Sequence, residues 1–288
     1  MARNTRPQTK QYDYKVVMEP LALQDGSPSG WMGTKRTDSG QVLGVCTEQY
    51  GIMDNATLFG GVEQTFEDLG MTDYEKNVTV VRDGARVYGR YDFKNVTTKV
   101  RAVGDELGLR LTVNNSFDRS CRASFSLGML RLVCLNGMVT VDDEFSMSKK
   151  HTKKITSDFI EDALQSALKS FQDGSATEVY ELLAKKTVSQ EQGLNVLLNL
   201  EKKNILSGRV REAIQLNWQN PSYTEDEGRN LYSLLNSVTQ HLTRDVEDER
   251  FEYAEGINRR VLSTFGRAAR LEGSFDKLVT PQKKVALN

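Results

Sequence analysis

The stretch Leu107–Asn136, LGLRLTVNNSFDRSCRASFSLGMLRLVCLN, decides the fold that the sequence predicts. It indicates two strands, Leu107–Asn114 and Ser124–Leu135, joined by a polar turn. In the first strand apolar and polar residues alternate, which is the period-two pattern of a half-buried strand. The Asn, Asp and Ser side chains of the turn can bond to nearby backbone and end a strand. We therefore expect a β-hairpin in the middle of the chain.

The second predicted strand carries Arg131, Cys134 and Asn136 within an apolar run. Burying an arginine or an asparagine costs free energy unless the side chain finds partners. Buried polar groups in folded proteins are usually hydrogen-bonded. Two interpretations stay open, a structural hydrogen-bond pair in the β core and a functional polar site at one end of the sheet.

Outward from this stretch, patterns of apolar residues indicate strands before it and helices after it. The further predicted strands are Lys15–Leu23, Val42–Tyr50, Val78–Val81, Arg86–Phe93 and Thr97–Val103. Gln24–Gly30 is a predicted turn, and a helix is predicted from Asp54 or Asn55 to Gly70. The predicted helices after Ile155 include Val179–Ala184, Glu191–Leu200, Leu206–Trp218, Gly228–Glu255 and Ile257–Arg270.

These elements predict an α+β fold. We expect a twisted antiparallel β-sheet with helices in the N-terminal half, followed by an α-helical C-terminal half. The predicted boundary lies near residue 155. It separates a β-rich α+β region with a basic middle segment, residues 1–154, from an α-helical region with a polar C-terminal tail, residues 155–288.

Composition and motifs exclude several classes of protein. No apolar run approaches the roughly 18 residues of a membrane span, and the basic N-terminus lacks the apolar core of a secretory signal. The three scattered cysteines favour free thiols in a cytoplasmic protein. No phosphate-binding loop, dinucleotide fingerprint or nucleophile elbow occurs. With only two histidines, we expect no cofactor, no metal and no catalytic residues, and enzymatic activity stays uncertain, with a negative answer favoured.

Charge is unevenly distributed along the chain. Residues 1–75 carry a net charge of −5, residues 76–154 a net charge of +7 and residues 155–288 a net charge of −3. A basic segment between acidic flanks is typical of a nucleic-acid groove, and it also arises when acidic helices pack beside a basic sheet. The densest basic stretch is Lys149–Lys154, which either contacts phosphates or is a solvated loop.

For the groove, arginines and lysines would hold phosphates and two tyrosines on an exposed sheet face would stack on bases. The candidate nucleic-acid-binding residues are Arg82, Arg86, Tyr88, Arg90, Tyr91, Arg110, Arg119, Arg122, Lys149, Lys150, Lys153 and Lys154.

Two segments of the central stretch, Leu111–Asp118 and Arg131–Asn136, resemble the core of the phage/plasmid-related family known as domain of unknown function 932. The similarity extends to Tyr50–Asn55, to His151 and to Leu231–Leu242, and covers roughly residues 40–245. Gly137 after Asn136, and Ser237 where alanine is commoner, are small departures from the family pattern.

This resemblance implies a phage, prophage or plasmid origin and a protein in the cytoplasm of a bacterial host, and it supplies no activity. It makes the residues of its recurring motifs candidates for a shared polar cluster. These candidates are Asp118, Arg131, Cys134, Asn136, His151, Asn236 and Thr239.

We therefore expect a phage- or plasmid-encoded nucleic-acid-binding protein that binds or anneals single-stranded DNA and forms homo-oligomers, without a membrane partner. One alternative is a structural protein that binds a host protein through the acidic segment Asp245–Glu249. Another is an enzyme acting on nucleic acid or nucleotide through the polar cluster.

Overall fold

A computed structural model of the chain describes residues 12–121, 123–134, 136–139, 146–149, 157–244, 246 and 250–281. These residues form an α+β fold with antiparallel strand pairing, which confirms the predicted class. The strands are β1 (Val16–Ala22), β2 (Pro28–Arg36), β3 (Val42–Cys46), β4 (Glu75–Val81), β5 (Arg86–Val100), β6 (Asp105–Ser116), β7 (Ala123–Arg131), β8 (Asn136–Val139) and β9 (Ser146–Lys149). The helices are α1 (Asn55–Asp68), α2 (Ser157–Gln172), α3 (Glu178–Ala184), α4 (Gln190–Lys202), α5 (Gly208–Gln219), α6 (Leu231–Arg244), α7 (Phe251–Arg270) and α8 (Ser274–Val279).

The strands form two sheets. A three-stranded sheet has the order β1-β2-β3, and a six-stranded sheet has the order β4-β5-β6-β7-β8 with β9 paired to β7. The long strand β5 replaces the two separate strands that the sequence predicts between residues 86 and 103. Its alternation of burial is interrupted at Lys94 and Asn95, which are both exposed, but the strand continues through them.

The chain divides into two compact units that are interleaved in sequence. The first unit comprises Met1–Tyr91, Leu111–Ser126 and Ser146–Ala167, and the second comprises Asp92–Arg110, Leu127–Phe145 and Leu168–Asn288. Strands β5, β6 and β7 contribute residues to both units. This division differs from the single predicted boundary near residue 155, because each long strand belongs to one unit at one end and to the other unit at its other end.

In the first unit α1 covers the sheet with an apolar stripe. Leu58, Val62 and Phe66 recur at helical spacing and are fully buried. Phe59 of the same helix lies against the backbone of Gly89 in β5, where a Cβ atom would collide with its ring. Leu69 follows these residues at helical spacing but is 39% exposed, because it lies at the C-cap of the helix.

In the second unit α6 is the central helix. Every residue from Leu231 to Thr239 is buried, and α6 packs against α3, α5, α7 and β8. Burial on all sides explains why its sequence lacks a broad charged face.

Several predicted elements have different bounds in the structure. The strand predicted to reach Leu135 ends at Arg131, and Leu132–Cys134 form a turn before β8. The helix predicted at Gly228–Glu255 is interrupted, because α6 ends at Arg244 and α7 begins at Phe251 and continues through the predicted helix Ile257–Arg270. Strand β2 begins within the predicted turn Gln24–Gly30, and α8 lies in the predicted polar tail.

Among the helices of the described residues, none combines the length and apolar character needed to cross a bilayer.

Candidate functional site

Arg131 is the last residue of β7 and has no exposed surface. The turn that follows it brings the chain back as β8, so that Arg131 and Asn136 face each other as paired residues of the two antiparallel strands. A buried guanidinium requires partners, because an unpaired charge in the interior is strongly destabilising. Arg131 therefore needs carboxylate partners in the interior at this end of β7.

Two aspartates accept hydrogen bonds from Arg131. Nη1 of Arg131 donates a hydrogen bond to Oδ2 of Asp226 at 2.8 Å, and Nε donates to Oδ2 of Asp105. Tyr232 donates its hydroxyl proton to the same oxygen of Asp105 at 2.9 Å, and Asn236 donates from Nδ2 to Oδ1 of Asp226 at 2.8 Å. We call Arg131, Asp105, Asp226, Tyr232, Asn236 and Cys134 the arginine cluster, and all six residues belong to the second unit.

The ionisation of the arginine cluster follows from these contacts. Burial disfavours the charge of Arg131, but Asp226 and Asp105 outweigh it and raise the pKa of the guanidinium above its ordinary value. Burial and the charge of Asp105 raise the pKa of the Tyr232 hydroxyl well above its ordinary value. Arg131 therefore stays charged and Tyr232 stays protonated, so that each can donate to Asp105.

Cys134 completes the arginine cluster at its edge. Its Sγ lies 3.9 Å from Nη1 of Arg131, and the residue is 7% exposed. Because Nη1 also binds Asp226 at 2.8 Å, the thiol is the weaker of its two acceptors.

Two buried atoms of the arginine cluster have no hydrogen-bond partner among the described residues. These atoms are Nη2 of Arg131, a donor, and Oδ1 of Asn236, an acceptor. The other polar contacts of the two side chains are made within the protein. The geometry thus favours the structural interpretation of Arg131, with Asp105 and Asp226 as its partners.

Two further candidates for the polar cluster, Asp118 and Thr239, make their polar contacts elsewhere. Asp118 belongs to the first unit, where it pairs with Arg82 and Arg86. Thr239 is fully buried, but its hydroxyl donates to the carbonyl of Asn236 in its own helix. His151 and the side chain of Asn136 lie outside the described residues.

Sequence reasoning missed Asp105, Asp226 and Tyr232. Asp105 lies between the predicted strands Thr97–Val103 and Leu107–Asn114, and Asp226 lies in a 3₁₀ turn before α6. No local pattern marks either aspartate. The only signal is indirect, because an arginine in an apolar strand requires a carboxylate from somewhere else in the chain.

Basic residues of the first unit gather at one end of the six-stranded sheet. The backbone N–H of Phe117, after β6, donates to the carbonyl of Ala85, before β5, at 2.8 Å. In the turn after β6, Asp118 lies 3.5 Å from Nε of Arg86 and 3.7 Å from Nη1 of Arg82. Arg119 in the same turn is exposed.

Strand β9 ends at the same place. In the antiparallel pairing of β7 with β9, Ala123 pairs with Lys149. The first lysine of the basic stretch therefore lies beside the start of β7, next to the turn that carries Arg119. We call Arg82, Arg86, Arg119 and Lys149 the basic sheet end. Arg122, Lys150, Lys153 and Lys154 lie outside the described residues.

The prediction that Tyr88 and Tyr91 stack on bases from an exposed sheet face is wrong. Tyr88 is 5% exposed and Tyr91 is fully buried. The ring of Tyr91 packs edge-on against Phe66 at 5.0 Å, and its hydroxyl donates to Glu63 at 2.9 Å. Both rings are covered by protein and present no face to a base.

Two further candidate arginines are not part of the basic sheet end. Arg110 belongs to the second unit and donates to both carboxylate oxygens of Asp92, with Nη2 at 2.6 Å from Oδ2. Arg90 is half-buried in β5.

In the described part of the chain, no three His, Cys, Asp or Glu side chains are grouped in a way that could hold a metal ion. No curated protein and no solved structure matches the chain. A family model described as Domain of unknown function (DUF932) matches residues 42–270, which is most of the 288-residue sequence. This span includes β3 to α7 and therefore the arginine cluster and the basic sheet end, and the chain belongs to the DUF932 family.

Proposed function

We propose that the protein binds the sugar-phosphate backbone of nucleic acid at the basic sheet end. The observation that carries this proposal is the pairing of Ala123 with Lys149. It brings the start of the lysine stretch to the turn that carries Arg119, with Arg82 and Arg86 tied to that turn through Asp118. Basic side chains gathered at one end of a sheet are suited to contact successive phosphates.

Single-stranded DNA is the ligand that we propose first, with annealing in phage or plasmid DNA metabolism as the role. The protein would act in the cytoplasm of a bacterial host and without a catalytic residue. Because Tyr88 and Tyr91 are buried, we assign the affinity to phosphate contacts alone. Binding carried by phosphates depends steeply on salt and weakly on sequence.

The test is fluorescence anisotropy of a labelled single-stranded oligonucleotide across a salt series, with a duplex of the same length beside it. The variant that removes the lysine stretch replaces Lys149, Lys150, Lys153 and Lys154 with alanine. For each phosphate of a single strand that the variant no longer binds, the slope of log K against log salt should become shallower by about 0.7. An Arg82→Ala, Arg119→Ala double variant should lower the same slope.

A matched control removes four exposed lysines from the second unit, Lys99, Lys185, Lys203 and Lys277. This control and the lysine-stretch variant each remove four positive charges. A difference between their affinities therefore reports contact at the basic sheet end and not the change in net charge. Equal losses of affinity in both quadruple variants, or no binding at low salt, would contradict the proposal. If the protein bound duplex more tightly than single strand, the basic sheet end would remain the proposed binding site, but annealing of single strands would be excluded.

A further inference from the structure

The three-stranded sheet of the first unit has one covered face and one open face. On the covered side Thr34 donates its hydroxyl to the carbonyl of Phe117 at 2.7 Å, and Cys46 is fully buried. Successive residues of a strand point to opposite sides, so Trp31, Gly33 and Lys35 belong to the other face.

That open face is apolar across all three strands. Trp31 is 49% exposed, Val42 is 50% exposed and Val45 is 49% exposed. A Cβ at Gly33 would lie 2.9 Å from Cδ2 of Leu21 and 3.5 Å from Cγ1 of Val42. The side chains of β1 and β3 thus come together over the Gly33 backbone and join the strands into one apolar surface.

One ion pair accompanies this surface. Nζ of Lys35 lies 2.9 Å from Oε2 of Glu19, and both residues are on the open face because Glu19 pairs with Gly33 across the strands. We call Glu19, Leu21, Trp31, Lys35, Val42 and Val45 the outer face.

We propose that the outer face is a self-association surface that binds the outer face of a second copy of this chain about a two-fold axis. An isologous interface requires one patch that is complementary to itself. The outer face can meet this requirement, because it carries the anion Glu19 and the cation Lys35 side by side. A two-fold axis that lies in the interface and passes between them would set Glu19 of each copy beside Lys35 of the other while the apolar residues meet. A face with one cation and one anion does not attract a phosphate backbone, which argues against nucleic acid as the occupant.

The inference is independent of nucleic-acid binding, and charge reversal tests it directly. Lys35→Glu makes the outer face doubly negative, and Glu19→Lys makes it doubly positive. In sedimentation over a wide concentration series, wild type should dimerise, and each variant alone should dimerise at least about tenfold more weakly because like charges meet. An equimolar mixture of the two variants should recover the association, which repair of the intrachain ion pair cannot produce.

Tryptophan fluorescence gives a second readout. The chain has two tryptophans, and Trp218 is only 1% exposed whereas Trp31 is 49% exposed. Dilution of wild type should therefore shift the emission to the red, and Trp31→Phe should remove this shift. Trp31→Glu should abolish the dimer, whereas Leu216→Glu, at a position 62% exposed in α5, is the matched control and should leave it intact.

A monomer at every concentration would overturn the proposal. So would a dimer that survives Trp31→Glu, or variants whose mixture associates no better than each one alone. Quenching of Trp31 by an oligonucleotide in a monomeric protein would assign the outer face to nucleic acid instead, and would equally overturn self-association.

Discussion

Arg131 and Asp226 are joined by a 2.8 Å hydrogen bond although 95 residues separate them in sequence. The bond links the end of β7 to the 3₁₀ turn before α6. Asp105 binds the same guanidinium from the start of β6. The arginine cluster therefore joins segments of the second unit that are far apart in sequence.

Arg131→Ala should destabilise the protein strongly. It leaves Asp105 and Asp226 buried without their cation, a change that typically costs about 3–5 kcal/mol. Urea unfolding followed by circular dichroism would measure the loss of stability. Arg209→Ala, which removes an exposed arginine from α5, is the control and should stay within about 0.5 kcal/mol of wild type. Equal stability of the two variants would show that the cluster does not support the fold.

Tyr91→Phe should lower stability and leave oligonucleotide binding unchanged. The variant lacks the hydroxyl bond to Glu63, which is worth about 1 kcal/mol, and keeps the ring packed on Phe66. The same substitution at a half-buried tyrosine of α7, Tyr253→Phe, is the control with which the stability and the oligonucleotide binding of Tyr91→Phe are compared. If Tyr91→Phe had normal stability and a large loss of oligonucleotide affinity, Tyr91 would have to contact the oligonucleotide.

Tyr14 should make the stability sensitive to alkaline pH. Burial raises the pKa of its hydroxyl from 10.0 to about 12, and the protonated hydroxyl donates to the carbonyl of Gly84. The folded state thus favours the protonated form. Its contribution is fully present below pH 10 and is lost as the pH rises from 10 through about 12. The unfolding free energy of wild type minus that of Tyr14→Phe should fall over this range, and a constant difference would refute the assignment.

Two glycine substitutions should have opposite effects. A Cβ at Gly89 would collide with the ring of Phe59, so Gly89→Ala should cost about 1–3 kcal/mol. Gly60→Ala lies in α1 with no atom within 4 Å of its new Cβ, and it should stabilise the protein by about 0.5–1 kcal/mol. Thermal unfolding of both variants measures the contrast. A stabilised Gly89→Ala would place α1 farther from β5.

Local patterns predicted much of the fold. Alternation indicates β6, and the helical spacing of Leu58, Val62 and Phe66 indicates α1. Strand β2 was missed because Pro28 and Gly30 indicate a turn, whereas here proline opens the strand and Gly30 adopts a positive φ within it. The end of β7 was placed too late because Leu132 and Val133 continue the apolar run through a turn.

The candidate sites were harder to predict because they depend on contacts between distant segments. Arg131 stood out as a polar residue in an apolar run, but nothing near it in sequence identified Asp226. The placement of the two tyrosines is partly predictable from the strand pattern. Residues three apart on a strand point to opposite faces, so Tyr88 and Tyr91 could not both lie on one exposed surface.

The interleaving of the two units has a consequence for how this gene can change. The chain passes between the units at residues 91/92, 110/111, 126/127, 145/146 and 167/168. No single crossover between related genes can therefore exchange one unit whole and leave the other whole. A hybrid joined near residue 155 would combine strands from one parent with the helices that complete the same unit from the other. We expect β5 to β9 and their helical partners to be inherited together, as one indivisible block.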